Sequence, residues 1–366
     1  MLKKNLFFLL LLLLAAKISA QILYPAQQQP GKAKIEANEN LFTLSNNLFA
    51  AYFLVDDNQF RFLGSEVLGL AETADIFLIT FADGTTIGAS QMLRKKLSLV
   101  ELSGDTNAVK LSDQLPGVEL QVTFVYGTLT IHWKAVLRDH SHYLRTELKL
   151  FSSEDVDIQS VVVMNYKMKP DEPLPQVVGN TRGAPIASDK IFAGLETPMG
   201  INKVEKTAEW VLVKGSWTRK TTLRAGESWQ VSAVVGTIAE GQRRRSFLTY
   251  HERERAVPWH SFIHYNSWYE LNIGRNNVVD KRMSREDCLQ VVEAWQKHLF
   301  DPYNVHIDAF VWDDGWDDFN SLWDFYQPKF PNGFREIDQL CRKYDVGLGA
   351  WLGPVGGYGA SKQQRL

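Results

Sequence analysis

The sequence predicts two architectures in series: a large antiparallel β-sandwich over residues 21–255, then a parallel β/α fold of barrel type over 256–366. Three observations predict it. Residues 35–249 are rich in β-branched and aromatic residues that alternate with period two. Turn signals such as Asp83-Gly84 and Gly127 fall between the alternating runs. After Pro258, apolar strand-like runs alternate with amphipathic helical ones.

The N-terminus reads as a secretory leader over residues 1–20. Lys3 and Lys4 supply its basic start, and Leu6 to Ala16 is an apolar run of 11 residues. Such a run is too short to cross about 30 Å of hydrocarbon comfortably. Ile18-Ser19-Ala20 offers the small residue expected before a cut, so Gln21 is the expected first mature residue. Export to the periplasm or the extracellular space follows, with no membrane contact after cleavage. The chain has only two cysteines, Cys288 and Cys341, both on predicted helices. They read as buried thiols rather than a disulfide framework.

Within the sandwich, "ADIFLITFADGTTIGAS" and "VELQVTFVYGTLTIHWKAVLR" each read as a hairpin, and "HYLRTELKLF" and "SWQVSAVVGTI" as further strands. No long helical stripe stands out there. The 40 basic and 42 acidic residues nearly balance, so no nucleic-acid surface is expected. Arg243-Arg244-Arg245 reads as a solvated face or strand end.

Beyond Pro258, "SFIHYNSW" reads as the first strand, "IDAFVW" as the second and "VGLGAWLG" as the third. Between them, Ser284 with Asp287 suggests a capping box. It opens a helix whose stripe is Leu289, Val292, Trp295 and Leu299. A second helix carries Ile337, Leu340 and Tyr344. This β-α-β-α-β order implies parallel strands and right-handed crossovers.

In such a fold, ligand chemistry gathers where strands end. "FVWDDGWDDF" places Asp313 and Asp314 at the second strand end, with Gly315 permitting a sharp turn and Trp316 beside it. Trp268 ends the first strand and Trp351 the third. Carboxylates accept strong hydrogen bonds from hydroxyls, and indole offers a flat apolar face with one N–H donor. Together they suit a sugar. Asp317 and Asp318 read as solvated or as caps of a following turn.

Other chemistries fit poorly. His260 and His264 lie on a predicted strand, where four residues span roughly 13 Å, so they cannot share one ion. No metal and no cofactor is expected. "GPVGGYG" lacks the order of a phosphate or dinucleotide loop and reads as a flexible loop after Trp351.

These motifs resemble the α-galactosidase clan of retaining glycoside hydrolases, especially its larger bacterial and raffinose-synthase-like members. "YNSWYE" is similar to the clan's first barrel strand, "VWDDGW" with "KFPNGF" to the second and "GLGAWLGP" to the third. Upstream, "GAPIASDKIFAGLETP" is similar to a segment of the clan's N-terminal sandwich. The resemblance implies a (β/α)8 barrel. It also implies an attacking carboxylate and a protonating one about 5–5.5 Å apart, carried after the fourth and sixth strands. From Trp259 to Leu366 there are 108 residues, whereas a full barrel takes about 250. The expectation is a barrel truncated after about three strands, its catalytic pair beyond Leu366.

On this resemblance, Asp313 and Asp314 hold the sugar's hydroxyls, and Trp268 and Trp351 wall the barrel mouth. The partner is an α-linked galactoside or related oligosaccharide. A second chain completing the barrel would cover its open edge, and the polar tail "SKQQRL" does not resemble a cap. Two other readings share the observations: a non-catalytic carbohydrate-binding or scaffold protein, and a short enzyme pairing Asp313 or Asp314 with Asp317 or Asp318.

Overall fold

The computed structural model describes residues 23–57, 59–170, 174–219, 221–257, 259–271 and 283–366. The expected leader and its expected cleavage point before Gln21 lie outside the described residues. Two compact units result, one ending at Pro258 and one spanning Trp259–Leu366.

The first unit is a β-sandwich of antiparallel sheets with four, eight and six strands, the short strand Leu70–Ala71 pairing off the main path of the third. Its longest strands alternate as their sequences imply. Along Leu129–Arg138, the side chains of Leu129, Ile131, Trp133, Ala135 and Leu137 are buried, while His132 is exposed. Strand Gly117–Tyr126 pairs with it around Gly127, which takes a φ of 54° that favours glycine. Leu78–Phe81 pairs with Thr86–Gly88 across Asp83-Gly84. The sheets share one core, where Phe60 lies 5.6 Å from Phe53 and 5.3 Å from Trp133 between ring centroids. Such aromatic pairs add attraction beyond the area they bury.

One element departs from the sequence reading. Arg243–Glu254 is an α-helix, and the three arginines form its exposed first turn rather than a strand end. Its buried side chains are Ser246, Thr249, Tyr250 and Arg253. That spacing is helical, but the residue types are mostly polar, so no apolar stripe advertises it. Arginines at the N-terminus also oppose the helix dipole. The buried polar groups are nonetheless bonded. The Arg253 guanidinium donates to the Asp139 carbonyl at 2.8 Å and to Ser141 Oγ at 3.0 Å.

The second unit is a parallel sheet of His264–Asn266, Ala309–Trp312 and Gly347–Ala350, in that order. Ser284 and Asp287 form the reciprocal capping box that opens helix Arg285–Trp295. Its buried face holds Cys288, Val291 and Val292, with Leu289 and Trp295 half-buried against the same core. The expected place of Leu299 in that stripe passes to Phe300. A π-helical turn, Gln296–Phe300, shifts the phase there. In helix Arg335–Lys343, Ile337 and Cys341 are fully buried and Leu340 is half-buried.

Phe310 and Trp312 of the middle strand stack at 5.9 Å and lie at the heart of this core. Both cysteines are free. Burial, with Asp338 nearby, pushes the Cys341 thiol up to about 11, and burial raises Cys288 further.

Candidate functional site

In the second unit the three strands end at one level, with Asn266 beside Val311 and Trp312 beside Ala350. Each end passes directly into a loop that carries polar or aromatic groups.

At the first end, Asn266 Oδ1 accepts the Trp268 backbone N–H at 2.8 Å, which shapes the short turn Ser267–Tyr269. Trp268 projects from that turn and is 42% exposed. The amide of Asn266 donates to Asp313 Oδ2 at 2.9 Å. Ser267 Oγ, in a buried residue, accepts the Asp313 backbone N–H at 2.8 Å. The first strand thus pins the second strand's loop. Neither Asn266 nor Ser267 was among the sequence-derived site residues, although their place in "YNSW" at a strand end was a usable signal.

The two central aspartates have different surroundings. Both oxygens of Asp313 are engaged: Oδ2 by Asn266 and Oδ1 by the Asp314 backbone N–H at 2.7 Å. Asp313 is 9% exposed. The Asp314 side chain is 24% exposed. Its Oδ1 accepts from Arg365 Nη2 at 2.9 Å, and no described residue donates to its Oδ2. Burial raises the Asp314 carboxyl above its ordinary value, Arg365 pulls it back, and Asp317 and Asp313 push it up again.

After Gly315, whose φ of 121° suits glycine, the loop turns inward. Trp316 was expected at the mouth, but its place is the core. It is 4% exposed and packs against Trp323, Phe325 and Phe334 at 6.2, 5.1 and 5.5 Å. Its indole N–H donates to the Trp351 carbonyl at 3.4 Å. Trp351 itself is half-buried, edge-on to Trp323 at 5.7 Å and stacked on Tyr358 at 5.9 Å.

Asp317 is neither solvated nor a cap. Its side chain is fully buried and takes Arg365 Nε at 2.7 Å and Nη2 at 3.0 Å. Asp318 organises a turn, accepting the Asn320 backbone N–H at 3.0 Å. The tail therefore has a structural role that its polarity hid. Gly359–Arg365 is a short helix, and its last residue docks against the acidic loop.

A cavity of about 630 Å³ belongs to the first unit instead, lined by Glu196, Phe247, Tyr250 and Glu254 among others. The strand-end carboxylates belong to the second unit.

Fold and strand ends together define a plan: an antiparallel sandwich, then a parallel β/α unit with carboxylates and indoles at its mouth. Solved structures that share the fold include α-galactosidases. The GH36 α-galactosidase AgaB from Geobacillus stearothermophilus aligns with a TM-score of 0.57 at 13% identity, over 88% of this chain and 57% of that one. The α-galactosidase from Lactobacillus brevis gives 0.57 at 14% identity, over 88% and 56%. A variant of AgaA from Geobacillus stearothermophilus, in complex with 1-deoxygalactonojirimycin, gives 0.52 at 13%, over 86% and 56%. At these identities the likeness is one of fold. This chain spans a little over half the length of those proteins. No family model matches the chain, and no curated protein matches it.

Proposed function

We propose that the strand-end surface of the second unit holds the non-reducing sugar of an α-linked galactoside. In this reading the chain corresponds to the front portion of a retaining glycoside hydrolase. Its sandwich precedes the first three strands of a (β/α) barrel, and the nucleophile and acid/base are not among its residues. The single observation that carries the reading is Asp314. One of its oxygens is fixed by Arg365, the other takes no donor among the described residues, and the carboxylate faces a mouth that also presents Trp268 and Trp351. A fixed carboxylate accepts a sugar hydroxyl in a charge-assisted bond without paying to order itself. The fold shared with GH36 α-galactosidases supports the reading, and one of those structures is described as a complex with 1-deoxygalactonojirimycin.

The two aspartates should separate under calorimetric titration with D-galactose and methyl α-D-galactoside. Asp314→Asn should weaken binding by roughly 1.5–3 kcal/mol and leave the melting temperature nearly unchanged. Asp313→Asn should act mainly on stability. Asparagine has one carbonyl oxygen, so it cannot keep both the Asn266 and the backbone N–H bonds. A cost of about 1–3 kcal/mol is expected there. Equal binding by the wild type and Asp314→Asn would remove the sugar-holding role. Covalent capture of Asp313 or Asp314 by a mechanism-based inhibitor would favour the short-enzyme reading instead.

Export is part of the proposal, supported by Lys3, Lys4, the leucine run and Ala20. The secreted or periplasmic protein should begin at Gln21 by intact mass. A mature form that retains Met1 or Leu2 would count against it.

A further inference from the structure

We propose that Arg365 is a positioning residue for the carbohydrate site: its guanidinium locks Asp314 and Asp317 into one notch and leaves Asp314 Oδ2 as the acceptor for a ligand hydroxyl. The inference rests on the sugar-holding reading of Asp314, and its test keeps the two apart.

Arg365 is bound on every side that the residues around it offer. Nε and Nη2 fork onto Asp317 at 2.7 and 3.0 Å, and Nη2 also reaches Asp314 Oδ1 at 2.9 Å. Nη1 donates to the Gly356 carbonyl at 3.1 Å. The planar group lies 4.1 Å from the centroid of Trp323 and 4.6 Å from that of Phe319. Its side chain has no exposure. A lysine ammonium could satisfy one of these carboxylates as a point charge, but it cannot reproduce a planar fork on an aromatic bed. Trp323 holds a φ of 68°, unusual for a bulky side chain, so the bed is itself a constrained feature.

The division of labour follows from burial. Asp317 and Arg365 are both fully enclosed, so their pairing is the anchor. Asp314 is the partner that reaches solvent. Among the described residues, the charged groups facing it are Asp313 and Asp317 from its own loop and Arg365 from the last helix. Without the guanidinium, burial and the two neighbouring carboxylates would favour its protonated form. A protonated Asp314 would lose the charge-assisted acceptor and the bond that fixes its rotamer.

The experiment uses the full chain with carboxyl-¹³C aspartate, with the Asp314 resonance assigned by Asp314→Asn. In Arg365→Met the Asp314 titration midpoint should rise by about 1–3 pH units. Arg365→Lys should give a smaller rise, and millimolar guanidinium added to Arg365→Met should move the midpoint back. D-Galactose affinity should fall in Arg365→Met, and its pH profile should move with the carboxyl titration. A folded Arg365→Met with an unmoved Asp314 midpoint overturns the inference. If that variant does not fold, Arg365→Lys decides the matter, and an unmoved midpoint with unchanged galactose affinity overturns it. A moved midpoint in a protein whose wild type binds no galactose leaves the clamp standing and removes the sugar reading.

Discussion

Replacing Arg145 with methionine should cost about 3–5 kcal/mol of folding stability, the range seen when one partner of a buried ion pair is removed. Arg145 Nε donates to both Glu196 oxygens at 2.9 and 3.0 Å, and its Nη2 to Glu196 Oε2 at 2.6 Å. The same guanidinium approaches Glu254 at 3.4 Å and Glu147 at 3.8 Å. The side chains of Arg145, Glu196 and Glu254 are 13, 11 and 7% exposed. Tyr250 donates its hydroxyl to Glu196 at 2.8 Å and Tyr143 donates to Glu254 at 2.7 Å. Burial alone would raise the Glu196 carboxyl, but the Arg145 bonds and charge hold it below its ordinary value. Methionine fills much of the volume, leaves buried Glu196 short of its cation and leaves Glu254 only Lys110, at 3.6 Å. Urea unfolding should therefore show a large shift for Arg145→Met and a smaller one for Arg145→Met combined with Glu196→Gln. A loss under about 1 kcal/mol in the single variant would mean the cluster is better hydrated than its burial implies.

Acid should destabilise the sandwich before its carboxylates titrate, and His142 is the reason. Burial lowers its imidazole to about 3, with the Ser246 carbonyl opposing and Arg253 assisting. Nε2 pairs with that carbonyl at 3.0 Å, Nδ1 has no hydrogen bond, and the ring stacks on Tyr24 at 4.7 Å. The folded-state value lies below the unfolded one, so the fold favours the neutral ring. That contribution is fully present above the unfolded value of about 6.5. It is lost as the pH falls from there toward about 3. The slope is about 1.4 kcal/mol per pH unit, so moving from pH 7 to pH 5 should remove about 2 kcal/mol. His251 is also lowered, chiefly by burial, and adds in the same direction. His142→Phe should flatten the slope between pH 6.5 and 5, whatever its effect at pH 7. A slope that survives the substitution would assign the acid sensitivity elsewhere.

Much of the fold could be read from short-range pattern. The hairpins around Asp83-Gly84 and Gly127 were legible because alternation and turn chemistry sit within a few residues of each other. Asp313, Asp314 and Trp351 were found at strand ends because an apolar run points to its own end. What remained hidden was set by distant partners. Arg253 is a charged residue that the sequence gives no reason to bury, yet it closes the stripe of its helix on Asp139 and Ser141. Asp317 looked like its exposed neighbours because its cation lies 48 positions away in a polar tail. Trp316 shares its loop with Asp314, but the inward turn after Gly315 sends it to the core.

The two cysteines carry a consequence for chemical reactivity. With Cys341 held near pKa 11, about one molecule in ten thousand is thiolate at pH 7 while the unit is closed. Cys288 is held higher still. An alkylating reagent therefore meets almost no nucleophile until this parallel sheet and its helices part. Modification of either thiol is then a clock for transient opening of the second unit, running at the frequency with which its core comes apart.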